Sequence, residues 1–300
     1  WKNVVQDDTE RRRRLLTAYD RIVFVSEHNR NNFLKYFPEH AEKSTVVYNF
    51  VDSDKIRTMA ADAVDAELVS KKTSNSLTVV LPGRLEEQKA FHRMLDAAKV
   101  LKERGLNVEW LILGRGYEYD SLLQKKERYG LDNVHFLGFR QNPYSYMRAA
   151  DVTAILSEYE GLALTVAESL TAGTPVLSTR TGGVAELLPD EYGWIIENDL
   201  LSIIDGMTAI YDDRKLLEEK RTALRSYAYN NERIKESLDA LFQTSEERGR
   251  AVMHTQTIYS SNKTPDISVI IPVYNTADYL NVDPLLGTNE EFEVLCREAA

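Results

Sequence analysis

Two glutamates bracket an apolar run in the stretch EGLALTVAE, which extends from Glu160 to Glu168, and Gly161 follows the first of them. Two carboxylates can act as acid and base on one glycosidic bond when they lie roughly 5–9.5 Å apart. The apolar run predicts a helix that begins at about Leu162. If the stretch were helical throughout, its eight positions at about 1.5 Å each would separate the carboxylates by roughly 12 Å, which is too far for such a pair.

This spacing suits a longer ligand, with hydroxyl groups at both ends and a diphosphate between them. The backbone N–H groups of Gly161 to Leu164 would then face the phosphates, because the N-terminus of a helix attracts anions. The alternative is an ordinary amphipathic helix in which Glu168 forms a surface salt bridge. The stretch alone leaves both interpretations open.

Two cations occur in GRLEEQK, where Arg84 and Lys89 are five positions apart in a predicted strand-to-helix loop. The free N–H groups and the dipole of the following helix favour an anion at this place. Two cations beside such a helix end suit a diphosphate better than a single carboxylate. The alternative is that both cations pair with Glu86 and Glu87 on the surface.

Glycines mark two further loops. Gly182 and Gly183 follow a predicted strand, and glycine lets backbone approach a ligand closely. The Gly-Arg-Gly turn at 114–116 is more simply explained as an ordinary tight turn. Neither GxGxxG nor GxxxxGK[ST] occurs in the sequence, which disfavours a dinucleotide site and a P-loop.

Apolar runs alternate with amphipathic helical patterns through the middle of the chain. Six short strands are predicted at 77–83, 108–114, 134–138, 151–157, 174–179 and 192–197. Near-continuous apolar strands separated by helices indicate a parallel sheet that is covered on both faces. We therefore predict an α/β fold, a doubly wound parallel sheet over about 77–212 with helices trailing to about 243. Ligands of such sheets bind at the carboxyl ends of the strands, where the residues above are placed.

The flanking sequence predicts additional domains. RIVFVS at 21–26 and TVVYNFVD at 45–52 read as strands, and Ser26 is placed to cap a helix after the first of them. Polar sequence at 244–265 predicts a linker, and DISVIIPVYN at 266–275 predicts a buried strand. The predicted domains are the remnant of a second α/β domain at 1–54, the main domain at 55–243, the linker at 244–265 and a truncated domain at 266–300.

Composition excludes several classes of function. The net charge of −10 disfavours general nucleic-acid binding, which depends on neutralising phosphates with Lys and Arg. Cys296 is the one cysteine, which fits a reducing cytoplasm, and without close His/Cys groups there is no zinc pattern. No apolar run reaches the roughly 18 residues of a membrane-spanning helix. The basic cluster at 11–14 could associate with the anionic inner face of a membrane, or could be a solvated helix face beside acidic neighbours.

Several stretches, taken in order, resemble the nucleotide-sugar-binding half of GT-B glycosyltransferases, specifically glycosyltransferase family 4. They are LPGRLEEQKA, LILGRGYEYDSL, VHFLGFRQN, AADVTAILSEYEGLALTVAESLTAGTPVLSTRTGGVAELL and GWIIE. The pattern Glu160-x7-Glu168 is the family's signature, and the resemblance covers about Tyr19 to Phe242. Ala90 departs from the pattern, because the family usually has glycine after the lysine.

The resemblance implies a role for each residue. Arg84 and Lys89 would stabilise the diphosphate as leaving group, Glu160 would contact hydroxyls of the donor sugar, and Glu168 would accept hydrogen bonds from the ribose diol. The implied donor-binding residues are Gly83, Gly138, Phe139, Gly161, Leu162, Ala163, Leu164, Glu168, Gly182 and Gly183. Family members retain the anomeric configuration and need no metal or other cofactor. The donor would be a UDP-, GDP- or ADP-sugar, and the acceptor a saccharide or a lipid-linked molecule.

Most of the family's N-terminal domain, with its acceptor-site residues, is absent from the sequence. We therefore expect the chain to be part of a longer protein and not to complete sugar transfer alone. The tail DISVIIPVYNTADYL resembles the first strand of a family 2 (GT-A) glycosyltransferase. Two alternatives to a transferase stay open: a nucleotide-sugar-binding module without activity, and a sugar-nucleotide epimerase of similar architecture that acts without an acceptor.

Overall fold

In a computed structural model of the chain, the described residues are 16–17, 19, 21–64, 76–246 and 269–270. They belong to two compact units, which are treated separately. One contains the described residues up to Phe50 together with those from Asn230 onward, and the other runs from Val51 to Tyr229. The domain limits given above stay predictions.

The strands and helices are numbered along the chain. The strands are β1 Arg21–Phe24, β2 Ser44–Val46, β3 Leu77–Pro82, β4 Val108–Leu113, β5 Val134–Gly138, β6 Val152–Ile155, β7 Val176–Thr179, β8 Gly193–Ile196 and β9 Val269–Ile270. The α-helices are α1 Glu27–Tyr36, α2 Ser53–Ala60, α3 Phe91–Glu103, α4 Tyr119–Tyr129, α5 Pro143–Ala149, α6 Leu164–Ala172, α7 Val184–Leu187, α8 Leu200–Asp212, α9 Arg214–Ala223 and α10 Asn231–Glu246.

The first unit contains a parallel sheet in the order β2-β1-β9. The predicted cap of α1 is confirmed, since the Ser26 hydroxyl oxygen accepts a hydrogen bond from the N–H of Asn29 at 3.1 Å. Helix α10 belongs to this unit, where the Arg233 guanidinium lies 4.6 Å from the centroid of the Tyr48 ring. The strand predicted at 266–275 is described only at β9, and the rest of the tail and the basic cluster at 11–14 lie outside the described residues.

The second unit is built on a six-stranded parallel sheet in the order β5-β4-β3-β6-β7-β8. The predicted doubly wound α/β fold is therefore confirmed. Side chains alternate along β3: Val79 packs into one core with α3, α4 and α8, whereas Val80 packs into the other with α2, α5 and α6. Both valines are fully buried. This explains why the strands read as continuous apolar runs, since neither face of the sheet is open to water.

One predicted boundary at the centre of the sequence is wrong. The helix expected from Leu162 begins as α6 at Leu164, because Ala163 takes up the left-handed conformation with φ 54° and ψ 60°. The stretch from Glu160 to Glu168 is consequently not helical throughout, and Glu168 lies just over one turn inside the helix. Across the described ranges, no helix is both long and apolar enough to cross a membrane.

Candidate active site

The two loops with the predicted catalytic residues lie side by side. Strands β3 and β6 are neighbours, and the strand order reverses between them, which is where open α/β sheets bind their ligands. The loop after β3 contains Gln88, whose backbone carbonyl accepts a hydrogen bond from the N–H of Glu158 at 2.8 Å. Its side-chain amide donates to the Tyr159 carbonyl at 2.9 Å. The two loops are thus fixed to each other by backbone as well as by side chains.

Lys89 and Glu160 join these loops through an ion pair. The Lys89 Nζ donates to Glu160 Oε1 at 2.6 Å, and the Ser157 hydroxyl donates to the same oxygen, also at 2.6 Å. The Glu160 side chain is 7% exposed and that of Lys89 is 23% exposed. Among the described residues, both of these hydrogen bonds are made to Oε1, so Oε2 is available to a ligand.

Arg84 is placed differently from Lys89. Its Nη1 lies 3.2 Å from Glu86 Oε1, and its side chain is 59% exposed. The surface pairing considered as an alternative is therefore correct for Arg84, whereas for Lys89 it is wrong. The exposed guanidinium can swing toward an anion at small energetic cost, because exposed ion pairs are worth only about 0–1 kcal/mol.

Gly182 packs against the backbone of the loop that contains Glu160. Its φ is +46°, and a Cβ built on it would lie 1.7 Å from the Glu160 carbonyl oxygen. The neighbouring Gly183 donates its N–H to the Gly161 carbonyl at 3.0 Å. Gly114, in the loop after β4, makes a similar approach, with its Cβ position 1.8 Å from the Gly83 carbonyl oxygen. These glycines therefore let the loops of the site pack backbone to backbone.

Two helices that begin beside the ion pair have no side-chain cap. Helix α3 follows Ala90 and helix α6 follows Ala163, and at both N-caps an alanine in the left-handed conformation replaces the usual hydrogen-bonding residue. Helices α1, α2, α5, α8 and α9 are instead capped by a serine, asparagine or aspartate side chain, whereas α4 and α7 also lack a side-chain cap. The first N–H groups of α3 and α6 thus lack this acceptor, as an anion site requires.

Glu168 lies in a neutral, hydrogen-bonded environment. Its Oε1 accepts a hydrogen bond from the Tyr144 hydroxyl of α5 at 3.2 Å. Burial raises the pKa of the Glu168 carboxyl, and the hydrogen bond from Tyr144 opposes that rise. Burial and the nearby Glu168 raise the pKa of Tyr144 to about 12, so the phenol stays a donor. The salt bridge considered for Glu168 is not formed within the described part of the chain.

The residues expected to frame a base lie at the end of β5. Gly138 has a φ of +71°, and its carbonyl accepts a hydrogen bond from the N–H of Gly114 at 2.9 Å. Phe139 is 61% exposed, and the Arg115 guanidinium lies 5.8 Å from the centroid of its ring. An exposed ring beside a cation offers a flat surface on which a heterocycle could stack.

Three contributors to this site were missed from the sequence. Ser157 shares the carboxylate oxygen with Lys89, and Tyr144 contacts Glu168. Arg93 donates to the Leu156 carbonyl at 2.8 Å and to Asn198 Oδ1 at 2.6 Å, which supports the Glu160 loop from α3. Ser157 could have been suspected from its place three residues before Glu160. Within the described ranges, no group of three or more His, Cys, Asp or Glu side chains could hold a metal ion.

Comparisons with known proteins assign the chain to a family. A family model described as "Glycosyl transferases group 1" matches residues 65–231. The chain is 29% identical over 226 residues to the Campylobacter jejuni N-acetylgalactosamine-N,N'-diacetylbacillosaminyl-diphospho-undecaprenol 4-alpha-N-acetylgalactosaminyltransferase, a match that covers 74% of this chain and 59% of the relative. It is 28% identical over 185 residues to the Escherichia coli UDP-Gal:alpha-D-GlcNAc-diphosphoundecaprenol alpha-1,3-galactosyltransferase, covering 58% of this chain and 46% of that enzyme.

Among solved structures, Anabaena Alr3699/HepE in complex with UDP superposes with a TM-score of 0.63 at 21% identity, covering 75% of this chain and 64% of that one. That likeness concerns the fold. The chain spans about half the length of the curated relatives it matches, between 59% and 46% of the two named above. The match to the family model covers more than half of the chain, and its fold is that of GT-B enzymes: the chain belongs to the group 1 glycosyltransferases.

Proposed function

We propose that the chain provides the donor-binding half of a retaining, metal-independent family 4 glycosyltransferase. The enzyme moves a sugar from a nucleoside diphosphate sugar to an acceptor in glycoconjugate synthesis. The observation that carries the proposal is the Lys89–Glu160 ion pair of 2.6 Å, which joins the loops after β3 and β6 at the point where the strand order reverses.

The departing diphosphate is the group that most needs stabilisation. When the bond between the anomeric carbon and the diphosphate oxygen breaks, negative charge collects on that oxygen, and groups aimed at it lower the barrier. Lys89 supplies a fixed cation, Arg84 an exposed and adjustable one, and the uncapped starts of α3 and α6 supply N–H groups. These four contributions replace the divalent cation that other transferases use for the same charge.

The two glutamates bind opposite ends of the donor in this proposal. Glu160 keeps Oε1 on Lys89 and Ser157 and offers Oε2 to the hydroxyls of the donor sugar. Glu168 accepts hydrogen bonds from the ribose diol. Gly138 and Phe139 lie beside the base, and the backbone of Gly161 to Leu164 donates to the phosphates.

The acceptor is inferred from the relatives, and the location from the sequence. The names of the Campylobacter and Escherichia enzymes both mention a saccharide that is linked through a diphosphate to undecaprenol. We infer a lipid-linked or saccharide acceptor for the protein to which this chain belongs, and a cytoplasmic location at the inner face of the membrane. Retention of configuration follows from the family 4 resemblance, and proton NMR of the anomeric centre in the glycoside product would test it.

Thermal unfolding of the chain with UDP, GDP and ADP tests the donor site directly. One nucleotide should raise the melting temperature equally with magnesium and with EDTA, since ligand at 100 times its dissociation constant stabilises by roughly 2.7 kcal/mol. Lys89→Ala should lower the affinity for that nucleotide by at least about tenfold, as expected for the loss of a hydrogen bond to a charged group.

Lys125→Ala is the matched control, because Lys125 is 17% exposed and paired with Asp96 at 2.8 Å on the outer helices. It should leave the affinity unchanged. Binding that requires magnesium, or that is weakened equally by both substitutions, would contradict the proposal. Tight binding without turnover, when an acceptor and the remainder of the enzyme are supplied, would favour a binding module.

A further inference from the structure

We propose that Tyr144 is a positioning residue for Glu168, and that its hydroxyl orients the carboxylate to receive the diol of a ribose. The inference rests on the proposed function and names a group that selects ribonucleotides at the same site. Tyr144 stands outside the stretches that carry the family resemblance, so it follows from the contacts alone.

The contact joins two helices. The Tyr144 hydroxyl at the start of α5 donates to Glu168 Oε1 in the second turn of α6 at 3.2 Å. Tyr144 and Leu164 pack against the same apolar cluster, which includes Leu113 and Ala167. The tyrosine ring is therefore held by packing, and its hydroxyl is aimed rather than free to rotate through solvent.

Helix α5 is itself fixed to its surroundings at both ends. Before its first residue, the Asn142 side chain accepts from the N–H of Ser145 at 3.3 Å and donates to the Met59 carbonyl at 2.8 Å. Near its other end, the Met147 carbonyl accepts a hydrogen bond from the Thr174 hydroxyl at 2.7 Å. A hydroxyl on a helix fixed in this way can set the direction of a neighbouring carboxylate.

A neutral donor suits the recognition of hydroxyl groups. A lysine or arginine would form an ion pair with Glu168 and compete with the weaker donors of a ribose. A phenol hydroxyl occupies one lone pair of Oε1 and leaves the other lone pairs of the carboxylate to the ligand. This contrasts with Glu160, which is tied to a cation at 2.6 Å.

The charged groups around Glu168 do not replace Tyr144. Asp52, at the N-cap of α2, acts on Tyr144 and raises its pKa. Helices α2, α5 and α7 pack in this region, and their remaining charged residues are exposed. These residues are Asp54, Lys55, Arg57, Arg148 and Glu186. Within the described part of the chain, burial raises the pKa of the Glu168 carboxyl and the hydrogen bond from Tyr144 lowers it.

The test compares a nucleotide with its analogue that lacks the diol. Dissociation constants are measured by calorimetry for whichever of UDP, GDP and ADP binds most tightly, and for the 2′,3′-dideoxy form of that nucleotide. In Tyr144→Phe, the preference for the ribonucleotide should fall by roughly tenfold, the effect of one hydrogen bond to a charged group. Affinity for the dideoxy form and the melting temperature of the free chain should change little, because the ring and its packing are kept.

Tyr129→Phe is the matched control, since the Tyr129 hydroxyl donates to Asp96 Oδ1 at 2.9 Å between α3 and α4. It should leave the preference intact. A pH profile adds a readout that a purely structural role would not move. Removal of the phenol raises the pKa of Glu168 further, so affinity for the ribonucleotide should begin to fall at a higher pH as the solution is acidified.

Glu168→Gln separates the failure of this inference from the failure of the proposed function. If Glu168→Gln lowers the preference for ribose and Tyr144→Phe does not, the role of Tyr144 is overturned and the proposed function stands. If neither substitution changes the preference, or if the chain binds no nucleotide, the donor site itself is wrong and the inference falls with it.

Discussion

Glu160 and Glu168 are identical residues eight positions apart, yet the fold holds them by opposite means. Glu160 lies in a loop, is 7% exposed, and has its charge balanced by Lys89 at 2.6 Å. Glu168 lies on a helix, is hydrogen-bonded to the neutral Tyr144, and has its pKa raised by burial. The charged end of the site is thus held by electrostatics, and the other end by a hydrogen bond between packed helices.

This difference separates two tasks in the binding of one ligand. A cation and two uncapped helix starts gather near Glu160, where we place the diphosphate and the sugar. No cation pairs with Glu168 within the described part of the chain, and there we place the ribose. Substitutions that break a contact of Glu160 should consequently destabilise the chain, whereas neutralising Glu168 should not, and the following predictions test that contrast.

The largest effect is expected for Gly182→Ala. The new methyl group would meet the Glu160 carbonyl oxygen at 1.7 Å while φ is +46°, so the Glu160 loop must move. Steric overlap and a left-handed alanine together should lower the free energy of unfolding by about 3 kcal/mol, measured by urea denaturation.

Gly105→Ala is the control for this substitution. Its φ is +79°, but nothing lies within 4 Å of the Cβ position. The left-handed conformation alone should cost about 1 kcal/mol. Equal losses in the two variants would mean that the Glu160 loop is not held by backbone contact.

Lys89→Ala is expected to have the next largest effect. It leaves the Glu160 carboxylate, 7% exposed, without its cation. Because Lys89 is itself 23% exposed, we expect a loss of about 2 kcal/mol rather than the 3–5 kcal/mol of a fully buried pair. A double-mutant cycle with Glu160→Gln should give a coupling energy of about 1–2 kcal/mol. Strictly additive losses would show that the ion pair does not stabilise the loops.

The parallel, doubly wound sheet could be predicted from the sequence, whereas the strand order and the ion pair could not. The strands of the six-stranded sheet can be recognised as apolar runs because both faces of the sheet are covered by helices. The pair of Lys89 with Glu160 joins residues 71 positions apart and depends on β3 lying beside β6. The ion pair of Arg84 with Glu86 could be anticipated from the sequence, because its two residues are only two positions apart.

The start of α6 shows a second limit of sequence reasoning. A left-handed residue before a helix is usually signalled by glycine, but positions 90 and 163 hold alanine, with φ values of 52° and 54°. The helix was therefore predicted to begin two residues too early. At Ala90 the family resemblance contained the missing signal, because glycine is usual there. Tyr144 had no such signal, since its partner is 24 positions away on another helix.

Glu168→Gln should have the opposite sign to Lys89→Ala. The folded-state pKa of Glu168 is raised, so its contribution to stability is fully present below the unfolded pKa and is lost as the pH rises through the folded pKa. Glutamine cannot ionise and keeps the oxygen that accepts from Tyr144. At about pH 7 the variant should be more stable than the parent by about 1 kcal/mol.

This gain should shrink toward zero as the pH is lowered to about 3, where the carboxyl is protonated in both states. Urea denaturation at several pH values measures it. A gain that does not depend on pH would show that ionisation of Glu168 is not its source. Glu160→Gln, by comparison, should destabilise at neutral pH, because it deprives Lys89 of its partner.

The smallest effect is expected from Ala90→Gly and Ala163→Gly. Both alanines take up the left-handed conformation, which costs an L-residue roughly 1–2 kcal/mol, and glycine adopts it freely. Loss of a buried methyl group offsets part of this gain, so each variant should be more stable by about 0.5–1 kcal/mol.

Ala97→Gly, inside α3, is the control and should destabilise by about 1 kcal/mol, because there glycine loses backbone entropy in a regular helix. Thermal denaturation distinguishes the expected stabilisation of the two loop variants from the expected destabilisation of the control. The two loop variants also test nucleotide binding, since they relax the turns that lead into the uncapped helix starts without altering a charge. If they bind the nucleotide as tightly as the parent, the strain at Ala90 and Ala163 is not required for function, and the N–H groups of α3 and α6 are positioned by the loops' other contacts. If they melt higher but bind more weakly, the alanines restrict the turns to a geometry that the diphosphate needs.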